Sequence, residues 1–274
     1  MNRLSTDKRA QIIRCLVEGN SIRATARITG TVKNTVLKLL VDVGKACTEY
    51  QYNIFRDLPC KRLQCDEIWA FCYSKQKNVP EECKGVFGFG DVWTWTAICA
   101  DTKVVPSWLV GDRSAQTAHI FINDLASRLK NRVQLTTDGH KVYIEAVEEA
   151  FGCDIDYAML IKVYGADSET EKRYSPADIL ETKKRRIMGF PDPDHVSTSF
   201  AERQNLNMRM SMRRFTRLTN AFSKKVENLA HAVALHFMYY NFARIHQTLR
   251  VSPAMEIGVA NHLWSLEEIV RLVG

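Results

Sequence analysis

The chain has 274 residues, 46% hydrophobic and 25% charged, with 13 Gly and 7 Pro, a balance that excludes collagen-like and disordered classes and leaves room for one larger domain plus a small appendage. Lys and Arg outnumber Asp and Glu by 38 to 31, and Arg203, Arg209, Arg213, Arg214 and Arg217 crowd one short segment, so a polyanionic partner is expected. The longest nearly apolar stretch, Leu229 to Phe242, contains His231, His236 and Asn241 and falls short of the ~20 residues that cross a bilayer, so no membrane partner is expected.

Met1 to Arg14 carry charge throughout and hold no continuous apolar run, so no secretory signal is expected and a cytoplasmic location follows. None of the eight Cys lies in a Cys-x-x-Cys pair. Reduced, mostly buried thiols are expected, and no zinc site.

From Thr6 to about Tyr50 three helices are predicted. Ile12, Ile13, Leu16 and Val17 form an apolar stripe that stops at Gly19; Ser21 caps a second helix with Ile22 and Ala26, broken by Gly30; Thr31 caps a third, whose Val32, Val36, Leu39, Leu40 and Val43 share a face. Two short helices hinged at a glycine read as a helix-turn-helix, making residues 1–50 a small all-α DNA-binding domain. The polar side of the third helix carries Lys33, Asn34 and Lys38, residue types that reach phosphates and base edges from a major groove.

The period then becomes strand-like. Leu63 to Cys72, Val92 to Ala100 and Val104 to Val110 predict an antiparallel meander, with Asp101-Thr102-Lys103 as a tight connection and Pro106 placing the third strand at a sheet edge. Ala118, Phe121, Ile122, Leu125 and Leu129 mark a helix, Val133 to Thr137 a fourth strand, Tyr143 to Ala150 a helix, and Ile155 to Val163 a fifth strand. Residues 165–198 have no clear period, contain Pro176, Pro191 and Pro193 and carry the run Lys183, Lys184, Arg185, Arg186, so a long basic loop or insertion is expected there. A helix from near Ser199, another from about Phe222 to Ile245, and a C-terminal tail over 251–274 complete an α/β chain of order βββαβαβα with a mixed sheet, its larger domain covering 51–250.

Three acidic residues stand where an acid is awkward unless it is used. Asp66 lies within the first strand, Asp138 closes the fourth just before Gly139, and Glu202 lies in the first turn of the helix after the long loop. In a meander-plus-crossover sheet the first and fourth strands can be central neighbours, and converging carboxylates call for a hard divalent cation, Mg²⁺ or Mn²⁺, of the kind used in phosphodiester chemistry. Each acid also has a plain structural use: a turn at Asp138-Gly139, an edge position for Asp66, and a capping box from Ser199 to Glu202. Glu67 rivals Asp66, since alternation sends them to opposite faces and pattern alone does not choose.

The stretches Gln64-Cys-Asp-Glu-Ile-Trp69, Thr136-Thr-Asp-Gly-His140, Ser199-Phe-Ala-Glu-Arg-Gln-Asn205 and Tyr240-Asn-Phe-Ala-Arg-Ile-His246, followed by Thr248-Leu-Arg-Val-Ser-Pro-Ala-Met255, resemble the IS1 family of bacterial insertion-sequence transposases over roughly Leu63 to Val270. The resemblance implies an RNase H-like catalytic domain of the DDE type behind a helix-turn-helix that recognises terminal inverted repeats. It assigns Asp66, Asp138 and Glu202 as the catalytic, metal-binding triad, with Mg²⁺ as cofactor and Mn²⁺ as a substitute. It also implies cleavage at the element ends, strand transfer into target DNA, a homo-oligomer of at least two chains on DNA, and a nucleoid location when bound.

Two features depart from the family pattern. No four-Cys zinc finger precedes the helical region, and the reading frame is uninterrupted. Under this reading Arg203, Asn205, Arg209, Arg213 and Arg214 form a cationic stripe along the DNA backbone, and His140 stands beside the site, as a phosphate or water contact or as a hydrogen-bonded helix-start residue. The rivals are a non-catalytic DNA-binding regulator or domesticated derivative, and an RNase H-like nuclease without strand transfer.

Overall fold

A computed structural model describes residues 4–165, 179–216 and 220–274. Three helices come first: α1 (Thr6–Val17), α2 (Ile22–Thr29) and α3 (Lys33–Ile54). The Ser5 and Ser21 hydroxyls accept the amides of Lys8 and Ala24, and Gly30 takes the left-handed φ of 62° that ends α2. Thr31 does not cap α3; its hydroxyl donates to the Thr29 carbonyl, and the N-cap is Val32, which supplies no side-chain acceptor.

The sheet and its helices follow as β1 (Arg62–Cys72), β2 (Gly90–Cys99), β3 (Ser107–Gly111), α4 (Ala115–Ala126), β4 (Val133–Thr137), α5 (Val142–Phe151), β5 (Ile155–Tyr164) and β6 (Ile179–Met188). The last elements are α6 (Ser199–Ser211), α7 (Val226–Met238), α8 (Pro253–Glu256) and α9 (Leu266–Arg271), with a π-helical turn over Tyr239–Ala243 after α7. No described helix is long and apolar enough to cross a membrane.

The six strands form one mixed sheet in the order β3-β2-β1-β4-β5-β6. β1, β2 and β3 make the antiparallel meander, and β4 runs parallel to both β1 and β5. Pro106 sits just before the edge strand β3, where its missing N–H breaks no ladder. Strand alternation gives the sheet two apolar faces: Leu63, Cys65, Trp95 and Tyr157 pack with Phe121 and Tyr143 of α4 and α5, while Ile68, Ala70 and Val92 pack with Ala201, Met208, Val233 and Phe237 of α6 and α7.

Four expectations are corrected. Part of the presumed loop 165–198 is strand β6, antiparallel to β5; its first eight residues are exposed on both faces, so no apolar alternation marks it. The expected boundary at residue 50 falls inside α3, whose second half crosses α7; there a Cβ on Gly44 would stand 2.5 Å from the His231 Cβ, and Gln51 donates to the Ala234 carbonyl. Residues 251–274, expected as a C-terminal tail, are helical in part and packed: Ser252 caps α8, a Ser265–Glu268 capping box starts α9, and Leu266, Ile269 and Val270 join the core shared with α1 and α3. The helix expected over Phe222–Ile245 is also shorter, spanning Val226–Met238 before the π-helical turn.

Candidate active site at the ends of the central strands

β1 and β4 pair through Arg62, Leu63 and Gln64 against Gln134, Leu135 and Thr136, and then part. Carried two residues further, that register sets Asp66 beside Asp138. Asp138 thus stands at the carboxyl end of β4, a place where open α/β sheets hold ligands, while Asp66 lies in the middle of β1, which stays paired with β2 as far as Cys72.

Asp66 shares the α6 face of β1 with Gln64 and Ile68. Its Oδ1 accepts the Glu67 amide and its Oδ2 accepts the Asn205 side-chain amide, both at 2.8 Å. Burial and then the charge of Asp138 push its pKa up to about 6, with Glu202 adding in the same direction. Asp138 forms the expected strand-ending turn, its Oδ1 accepting the His140 amide at 2.9 Å, while its Oδ2 lies 4.0 Å from Arg113.

Glu67 points to the opposite face, where its side chain is almost wholly buried beside Tyr143 and 3.2 Å from the Arg113 guanidinium. Burial raises its pKa to about 7; Tyr143 and Arg113 act against that rise, Asp138 and Asp66 with it. Its Oε1 has no hydrogen-bond partner. One carboxylate oxygen from each of Asp66, Glu67 and Asp138 lies within 4.8 Å of the others. The sequence pattern treats Asp66 and Glu67 as rivals, and the geometry gathers both, because Asp138 sits past the last paired residue of β4 between the two faces.

Glu202 stands outside that trio and is held by Lys162 of β5 and by the Thr198 hydroxyl. The expected capping box is absent. The amides of Phe200 and Ala201 instead donate to Gln64 Oε1, at 2.8 and 3.2 Å, so a buried side chain of β1, and not Glu202, closes the start of α6.

The basic stripe is also corrected. α6 ends at Ser211, so Arg213 and Arg214 fall in a tight turn beyond it, and Arg203 and Arg209, six residues apart, stand about 120° apart round the helix. The Arg214 guanidinium is buried, lowering its pKa to about 10, and donates to Ser223. Asn205 is buried and serves Asp66. Arg203 is exposed beside Glu202, and Lys33, Asn34 and Lys38 are exposed on α3, Lys38 pairing with Asp42 at 2.5 Å. The His140 ring stacks 6.1 Å from Trp95, its pKa lowered by burial and Arg113.

Sequence reasoning misses Gln64, Arg113, Lys162 and the role of Asn205. Two signals could have found some of them: Gln64 is a polar residue two positions before Asp66, hence on its face, and Lys162 is a lone cation after the apolar run Tyr157 to Ile161. Neither a protein-family model nor a curated protein sequence matches the chain.

Proposed function

We propose that the protein is a metal-dependent DNA transposase, which cleaves phosphodiester bonds at the ends of a mobile element and transfers the freed 3′-hydroxyl to target DNA. The observation that carries this reading is the meeting of Asp66, in the middle of β1, with Asp138 at the carboxyl end of β4, with the charge of Glu202 reaching Asp66 from α6. The strand order and the three acids support reading the sheet as RNase H-like and the triad as the DDE type.

The donor set consists of carboxylate oxygens alone, which suits Mg²⁺ or Mn²⁺ and not a soft metal. The raised pKa values of Asp66 and Glu67, buried within reach of Asp138, fit a site short of positive charge. Asp66, Asp138 and Glu202 would hold the ions, with Glu67 at their flank. When bound, two such ions activate a water or 3′-hydroxyl and stabilise the leaving oxygen. Asn205 fixes the orientation of Asp66, Gln64 fixes the start of α6 and so the place of Glu202, and Arg113 limits the negative charge around Glu67.

The α2–Gly30–α3 unit is read as the helix-turn-helix. Its third helix starts without a side-chain cap and exposes Lys33, Asn34 and Lys38, which leaves amide and side-chain donors for the backbone and base edges of an element end. Arg203 is placed to meet a phosphate beside the acids. Two ends acting together imply at least a dimer on DNA, in the cytoplasm at the nucleoid.

The test uses DNA from both flanks of the gene, Mg²⁺ or Mn²⁺, and wild type beside Asp138→Asn. Metal-dependent 3′-end cleavage and joining by the wild type alone is the expected result; binding by both proteins with no cleavage by either would remove the catalytic claim. A second reading, a DNA-binding regulator without chemistry, is favoured by the Lys162–Glu202 ion pair, which neutralises one triad member. The same assay separates the two.

A further inference from the structure

The register of β6 sorts its cations onto two faces. Ala158, Leu160 and Lys162 of β5 lie opposite Arg186, Lys184 and Thr182, and directly opposed residues share a face. Lys162 holds Glu202. The row Lys162, Lys184 and Arg186, with the Thr182 hydroxyl, is therefore on the side of the acid site. On the other face Met159 and Ile161 lie opposite Arg185 and Lys183; Met159 belongs to the α4–α5 core, and Lys183 is paired with Glu181 at 3.1 Å.

The two rows thus differ in kind. The site-facing row carries cations and no carboxylate from β6, whereas Glu181 partly neutralises the other. Arg186 stacks 4.4 Å from the centre of the exposed Phe190 ring, and Lys184 donates to the Pro193 carbonyl at 2.5 Å, which holds both charged heads over an otherwise exposed strand. Asp156 lies near Arg186, but its oxygens are taken by Arg132 and the Phe190 amide.

We propose that the Lys162–Lys184–Arg186 row is a track for the phosphate backbone of duplex DNA leading into the carboxylate site. The inference rests on the DNA reading above and adds to it a strand that neither α3 nor α6 supplies. Alternate residues of a strand recur about every 7 Å, close to the axial length over which one DNA strand carries two phosphates. Among the described residues β6 is the edge strand, with no other strand of the sheet on its outer side. Lys and Arg on it would neutralise phosphates without reading bases.

The test compares two charge reversals of equal net charge, K184E/R186E on the site face and K183E/R185E on the other. Binding of a fluorescein-labelled duplex of mixed sequence is followed by anisotropy across a salt series, and thermal midpoints check that both variants are folded. The site-face reversal is expected to weaken binding at least about 10-fold and to flatten the log–log salt slope by about 2, with the opposite-face reversal giving under half that change in slope. K184Q/R186Q should fall between wild type and the site-face reversal. Equal losses in the two reversals overturn the track. So does wild-type binding by both, the result expected if the cations only keep an open edge from pairing, since both reversals leave the strand charged. A wild type that binds no duplex at low salt overturns the DNA reading itself, a separate outcome from wild-type binding that neither reversal alters.

Discussion

The two ends of the central strands use the same residue types to opposite effect. At the amino ends of β1, β4 and β5, Arg62 pairs with Asp101 and Arg132 with Asp156, and each guanidinium holds its carboxyl below the usual range by hydrogen bonding. Where β4 ends beside the middle of β1, Asp66 and Glu67 rise to about 6 and about 7, because burial and mutual repulsion exceed what their hydrogen bonds and Arg113 return. Acids with dedicated cations are fastening. Acids crowded together and short of cations are held in a state that favours binding positive charge from outside.

The strongest way to break this comparison is to neutralise one acid at each end. Asp66→Asn should lower metal-dependent cleavage by on the order of 10²–10³-fold, the scale of losing one electrostatic stabiliser of a transition state. Its stability at neutral pH should rise by on the order of 2 kcal/mol, since each pKa unit is worth ~1.4 kcal/mol and the buried carboxylate's charge is removed. Asp156→Asn should do the reverse, lowering the thermal midpoint and leaving cleavage near wild type. If folded Asp156→Asn lost as much activity as Asp66→Asn, the two ends would not differ as argued.

A pH series sharpens the same contrast. Asp66 and Glu67 have folded pKa values above those of unfolded chains, ~3.9 and ~4.3, so the unfolded state sheds its protons first. Their contribution is fully present below about pH 4 and is lost as pH rises through about 6 to 7, a fall of a few kcal/mol. Asp101 and Asp156, held low, contribute above the unfolded value and lose that contribution as pH falls through their folded values. Urea titrations across the range should show the neutral-pH loss vanish in an Asp66→Asn, Glu67→Gln double variant. Added Mn²⁺ should restore stability to the wild type near pH 7 and leave the double variant little changed.

Much of this was legible in the sequence, and the gaps have physical causes. β1 and β5 announce themselves because each buries apolar residues on both faces; β4 carries Val133 and Leu135 on one face, and Asp138-Gly139 marks its end by turn chemistry. β6 was unreadable as a strand: its Lys183, Lys184, Arg185 and Arg186 face solvent on both sides, so nothing apolar alternates. The adjacency of Asp66 and Asp138 could be guessed from topology, but Gln64 at the start of α6 and Lys162 on Glu202 span 136 and 40 positions, and no local pattern encodes such partners. Arg214 misled because the expected helix was carried past Ser211, where the chain turns and takes its guanidinium inward.

Gln64 gives a smaller effect, because its amide oxygen closes the start of α6. Gln64→Met keeps the volume and leaves the Phe200 and Ala201 amides without their acceptor, at a cost of about 1 kcal/mol by analogy with a lost N-cap. If Gln64 also positions Glu202, the variant should need more Mg²⁺ for half-maximal cleavage, which a purely structural loss would not demand.

The smallest effect concerns Glu202, the acid of α6 that Lys162 holds. Lys162 and Glu202 are paired at a partly exposed position, so their attraction is screened and worth at most about 1 kcal/mol. A divalent ion recruiting Glu202 must displace Lys162, and Lys162→Met removes that competitor. The midpoint of a Mn²⁺ titration followed by thermal shift, without DNA, should therefore move to lower concentration by up to about 5-fold, the ratio that ~1 kcal/mol allows. An unchanged midpoint would mean that Glu202 takes no part in holding the ion in the free protein, and Asp66, Glu67 and Asp138 alone would then define the site before DNA arrives.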